Sequence, residues 1–146
     1  MTIDGFWKLI EHIDRDALQR GEGYDQLALQ PLIGLLAVLS QAELQSFQDH
    51  LAQMLYEVDG RRYADASGQS GRSDDAFLYA RCFVVAMGRD VYQRTREDPE
   101  LMPKTLDRWC EPLLYAASRA WELQSGQRLH FDTKFSFETG SNRALW

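Results

Sequence analysis

Basic side chains are outnumbered in this chain, and the residue types that usually build reactive sites are sparse. Sixteen Lys and Arg stand against twenty-two Asp and Glu, a formal net charge of −6 over 146 residues. The deficit is uneven. Residues 1–59 hold ten acids and three bases, net −7, whereas residues 60–146 hold twelve acids and thirteen bases, net +1. Direct nucleic-acid binding is disfavoured, because neutralising phosphates needs a basic patch that the first half does not supply. The two cysteines, Cys82 and Cys110, have no CxxC spacing. They read as buried thiols of a reducing compartment, not as a disulfide framework. His12, His50 and His130 lie in separate segments, in neither HxxxH nor HExxH spacing. No zinc site, other metal site or cofactor is therefore expected. The longest apolar run, Leu32 to Leu39, is too short to cross a bilayer. Asp4, Lys8 and Glu11 interrupt any signal-peptide core. The expected compartment is the cytoplasm, with no membrane partner.

What the chain does have is helical periodicity. The spacing predicts one mainly α domain over residues 1–146. A bundle of about five helices would occupy roughly residues 3–125, and an extended tail roughly 127–146. Thr2 or Asp4 can cap a first helix carrying Phe6, Trp7, Ile10, Ile13 and Leu18, ended by Gly21-Glu22-Gly23. Tyr24 to Leu39 reads as a second, with a kink or break expected near Gln30 because Pro31 lies inside it. Ser40-Gln41-Ala42-Glu43 is a capping-box pattern. It opens a third helix with Leu44, Phe47, Leu51, Met54, Leu55 and Val58 on one face. Thr105 to Gln124 reads as a last long helix, started near Pro103, bent at Pro112 and closed by Gly126.

The densest stretch is Gly68 to Arg89. A glycine- and serine-rich loop, with a short helical turn at Tyr63 to Ala66 before it, runs into Ser73-Asp74-Asp75. Ser73 is a good N-cap, and the two aspartates suit the positive end of a helix dipole. Phe77, Leu78, Cys82, Phe83, Val84, Val85 and Ala86 then make a helix apolar around most of its circumference, the mark of a central one. Arg81 interrupts that surface and needs an acidic or carbonyl partner if buried. Gly88 ends or bends the helix, and Arg89-Asp90-Val91-Tyr92 resumes a helical pattern until Asp98-Pro99.

The block Ser73-Asp74-Asp75-x-Phe77-x-x-x-Arg81, then Met87-Gly88-Arg89-Asp90-Val91-Tyr92 and Glu97-Asp98-Pro99-Glu100-Leu101, resembles the bacterial DUF4240 family. Phe6-Trp7-x-x-Ile10 fits the same pattern, so the resemblance covers about residues 3–103. Members with this pattern often carry a tryptophan-rich segment before the Ser-Asp-Asp. Glu57-Val58-Asp59-Gly60-Arg61-Arg62-Tyr63-Ala64 stands there instead. The resemblance implies a fold and a shared motif (Ser73, Asp74, Asp75, Phe77, Arg81, Gly88, Arg89), and no activity.

After Gly126 the character changes. Leu129, Phe131, Phe135 and Phe137 alternate with His130, Asp132, Lys134, Ser136 and Glu138. This period of two predicts a small β hairpin around Thr133, or one extended strand over the helices. Trp146 is the least securely buried of the four tryptophans.

Two functions follow, with a regulatory or scaffold domain as a third. The first is a non-enzymatic interaction protein for a basic protein partner, concretely an immunity protein neutralising a bacterial toxin. Glu11, Asp14, Glu43, Asp49 and Glu57 would face that partner. The second is an enzyme or a small-ligand or metal-binding domain using Asp74, Asp75 and Arg81, with Asp59, Asp65 or Glu57 as further acids. Catalytic residues are not expected under the first reading. Helix capping alone explains acids in the first turn, which favours it.

Overall fold

The computed structural model describes residues 1–146 as eight α-helices and four short 3-10 segments, with no strand. The helices are α1 (Ile3–Ile10), α2 (Arg15–Leu18), α3 (Asp25–Leu36), α4 (Gln41–Glu57), α5 (Arg61–Ala66), α6 (Asp74–Ala86), α7 (Arg89–Glu97) and α8 (Ala116–Ser125). None is long and apolar enough to cross a membrane.

One hydrophobic core runs through the molecule. α6 lies within it: from Ala76 to Ala86 every residue but Tyr79 is buried. α4 packs on α6 and α8, α3 on α8 and α2, and α7 on α6. Ser40 and Glu43 close a reciprocal capping box at the start of α4. The Ser73 hydroxyl accepts from the Ala76 amide at 3.1 Å at the start of α6. Gly88, at φ 101°, separates α6 from α7 in a conformation that side chains resist.

Three segments depart from the periodic reading. The first predicted helix is two. The Asp14 carboxylate accepts from the Ala17 amide and starts α2 afresh, and the Asp14 amide donates to Ala28 O. Pro31 causes no break: α3 runs through it. Leu27 and Pro31 are both exposed. The Leu27 carbonyl, left without its helical donor, therefore lies on the water side. The last helix is shorter than expected. Residues 103–110 are irregular, Glu111–Tyr115 form a 3-10 turn, and α8 follows. Pro112 disfavours an α conformation at Glu111. The Cys110 amide, meanwhile, donates to Tyr79 O on α6.

The predicted C-terminal β element is not formed. Residues 127–146 instead make an irregular strap held to the helices by side chains. Gln45 donates to Asp132 O, Arg81 donates to Phe137 O, and the Lys134 amide donates to Asp49, while within the strap the Glu138 amide donates to Ser136 Oγ. Backbone groups that a hairpin would pair across strands are taken by these partners. The alternation survives as burial: Phe131 is in the core, Leu129 and Phe137 pack against it, and Phe135 stacks on Tyr56.

Candidate functional site

The motif residues at the start of α6 divide between the surface and the interior. Asp74 and Asp75 are exposed in the first turn, whereas Arg81, less than two turns on, has no exposed surface. Its guanidinium donates to Leu55 O at 2.9 Å, Phe137 O at 3.0 Å and Thr139 Oγ1 at 3.0 Å. The Thr139 hydroxyl passes its own proton to Asp74 O at 2.7 Å. Arg81 thus ties α4, α6 and the strap together through carbonyls. Burial lowers its pKa, and the Asp59 carboxylate acts against that shift. Phe77 lies under the guanidinium, 4.7 Å from ring centroid to Cζ. Arg89 pairs with Asp4 at 2.7 Å and joins α7 to α1.

Asp59 is the second anchor. It is fully buried just beyond α4, and its carboxylate accepts from the amides of Gly140 and Asn142 and from the Trp146 indole. It is therefore not gathered with Asp74 and Asp75. No three His, Cys, Asp or Glu side chains converge as a metal site.

The five acids expected at a partner surface all have intramolecular contacts. Glu11 pairs with Arg15, and Glu57 pairs with Arg96 at 3.1 Å. Asp14 caps α2, the Glu43 carboxylate accepts from the Ser40 amide in the capping box of α4, and Asp49 accepts from the Lys134 amide. Hydrogen bonds from the Ser40 amide and hydroxyl lower the Glu43 pKa. Neither of the chain's thiols is exposed. Burial pushes Cys82 up to about 12 and raises Cys110 well above its ordinary value. His12 and His130 are exposed, and His50 contacts Met1 O at 3.0 Å.

Between the strap and the helices lies a cleft of about 360 Å³. Gln48 of α4 and Leu114 line its inner side, Tyr115 and Ser118 one flank, and strap residues 130–138 the other. Gln48 is 5 % exposed. Its Nε2 donates to Leu114 O at 3.2 Å, while its Oε1 is buried with no partner. Tyr115, Asp132 and Glu138 stand exposed at the mouth. None of these four was singled out from the sequence. For Gln48 a signal existed: it follows Leu44 by four residues and so places an amide inside the apolar stripe of α4. The other three come together only through the course of the strap.

The family model described as "Protein of unknown function (DUF4240)" matches residues 1–123, and the chain belongs to that family. The whole strap, residues 127–146, lies beyond the matched residues. No curated protein and no solved structure matches the chain.

Proposed function

We propose that this DUF4240 protein is a non-enzymatic interaction protein that binds a basic protein partner, in its concrete form an immunity protein that neutralises a bacterial toxin. The observation that carries this reading is the net −7 of residues 1–59, which form α1 to α4. The contacts made by those acids do not erase the charge. Asp14, Glu43 and Asp49 accept hydrogen bonds from backbone amides, which carry no formal charge to cancel theirs. Of the ten acids in these residues, Asp4, Glu11 and Glu57 share their charge with arginines. Such a field speeds encounter with a cationic surface and repels nucleic acid. In this reading the protein works in the cytoplasm, where Cys82 and Cys110 stay reduced.

The test is surface binding to the product of the adjacent gene. Glu11→Lys and Asp49→Lys, each with an unchanged melting temperature, should slow association. Added salt should shrink the difference, because rim charges act mainly on the association rate. If the neighbouring product does not bind, or binds with a rate indifferent to both changes and to salt, the reading fails.

A further inference from the structure

α3 turns an apolar face to solvent. Tyr24, Leu27, Pro31, Leu35 and Val38 are all exposed, Leu27 at 48 % and Val38 at 79 %. At 3.6 residues per turn these five positions of α3 and its flanks fall within about 80° of the helix circumference. Gly34 is exposed on the same helix, with open space where a side chain would stand. A contiguous apolar patch of this kind marks an interaction site.

No charge interrupts the face. From Gln26 to Ala42 seventeen residues carry none, although residues 1–59 as a whole are net −7. Two copies of so acidic a molecule repel where their acids meet, and α3 is the long stretch of that half where they can touch without it. The spacing itself points to a second copy. Successive positions of the stripe are 3, 4, 4 and 3 residues apart, the same read in either direction, with Pro31 at the centre. Laid antiparallel on itself about a two-fold axis at Pro31, the stripe sets Leu27 opposite Leu35, Tyr24 opposite Val38 and Pro31 opposite Pro31. An isologous contact requires this, because one patch serves both subunits. The ends match in charge as well. Arg20 is exposed, lies over the Tyr24 ring at 5.7 Å and pairs with no acid. At the other end the Glu43 carboxylate is held on Ser40, two residues beyond Val38. Antiparallel pairing brings the Arg20 end of each copy to the Glu43 end of the other.

We infer that the protein forms a homodimer through α3, with the two helices antiparallel about a two-fold axis at Pro31. A face about 20 Å long and about 10 Å wide is smaller than the ~800 Å² per partner of a stable complex, so the dimer is weak and reversible. The inference does not rest on the interaction reading above.

The test is sedimentation of the full chain from about 10 μM to about 1 mM. The parent should pass from monomer to dimer over that range and stop there, because an isologous contact closes. Leu27→Lys and Leu35→Lys alter exposed side chains. Each should weaken the dimer by about tenfold or more, since a two-fold contact carries every change twice. Leu101→Lys, at a residue exposed to a similar degree beyond α7, should leave it unchanged. Cross-linking fixes the register. Helices packed about 8–10 Å apart bring the two copies of an axial residue within disulfide reach. Pro31→Cys should therefore link to itself under oxidised glutathione, and Leu101→Cys should not. Leu27→Cys and Leu35→Cys should link slowly alone and rapidly when mixed. A chain still monomeric at about 1 mM leaves the face to another occupant and overturns the inference. So does a dimer indifferent to both lysine changes, or one in which Leu27→Cys links to itself faster than to Leu35→Cys. No other protein enters these assays, so their failure and that of the interaction reading are separable.

Discussion

The indole Nε1 of Trp146 donates to the carboxylate of Asp59 at 2.9 Å, joining the last residue of the chain to the end of α4. The Gly140 and Asn142 amides converge on the same carboxylate at 3.1 Å and 3.0 Å. One buried side chain therefore holds the final seven residues of the strap.

Asp59→Ala should accordingly destabilise the protein by about 3 kcal/mol, since three donors lose their acceptor, the Asn142 amide in a buried position and the other two in part-buried ones. The strap should loosen before the helices melt. Limited trypsin digestion should cut after Lys134 and Arg143 faster than in the parent chain. A variant with an unchanged melting temperature and an equally protected tail would show that Asp59 does not anchor the strap.

Arg81→Met separates architecture from chemistry. Methionine keeps much of the stem's volume, but it leaves Leu55 O and Phe137 O without their donor and removes the balance for Asp59. A loss of about 2–4 kcal/mol is expected from two buried carbonyls left unmatched. Thermal melting measures it. A variant that melts with the parent while losing a measured binding or catalytic activity would restore Arg81 as a functional group.

The signals legible in the sequence were the ones written within a few residues. Ser40 with Glu43, Ser73 with its following acids, Gly88 and Gly126 each act on backbone groups one turn away. The need of a buried Arg81 for an acidic or carbonyl partner was readable as well, and the carbonyls of Leu55 and Phe137 supply it. The strap was not readable. Its period of two is shared by a strand and by a chain laid across helices, and the choice rests on Asp49, Asp59, Gln45 and Arg81, all remote in sequence. The broken first helix turned on Asp14, which looked like one more surface acid and serves as an N-cap. The cleft depends on both kinds of long-range contact, so only Gln48 left a trace in the pattern.

Stability should fall at alkaline pH, and Cys82 sets part of the window. Its thiol ordinarily titrates at 9.0, and burial raises it to about 12 in the folded state. A pKa raised on folding favours the folded state fully below the unfolded value. That contribution is lost as pH climbs from about 9 through about 12. Cys110 is shifted in the same direction by the same cause. Melting temperature should therefore decline over this range, and Cys82→Ala with Cys110→Ala should decline less steeply after allowance for a lower starting point. In the parent, a thiol reagent such as Ellman's should react at pH 8 only as fast as the chain opens. Rapid reaction of the folded protein would contradict the burial of both thiols.

The last prediction concerns Ser73, where capping and a binding role lead to different outcomes. The hydroxyl accepts from the Ala76 amide at 3.1 Å, and Ser73 itself has the extended backbone of an N-cap, φ −138° and ψ 155°. Ser73→Ala should cost about 1 kcal/mol, the usual loss when an N-cap oxygen is removed. Ser73→Asp should recover most of it, because a carboxylate is an equally good acceptor at that position and gains from the helix dipole. Asp74→Asn should cost less than Ser73→Ala, since it weakens only the dipole interaction. The α6 helix is almost wholly buried, so its first turn does not fray independently and the loss should appear in global unfolding by urea. A pure cap predicts that rank order and recovery by aspartate. If Ser73→Asp unfolds as readily as Ser73→Ala, the hydroxyl acts through something other than the Ala76 amide. If Asp74→Asn leaves stability intact and removes binding of a partner, the acid pair at the head of α6 belongs to a site.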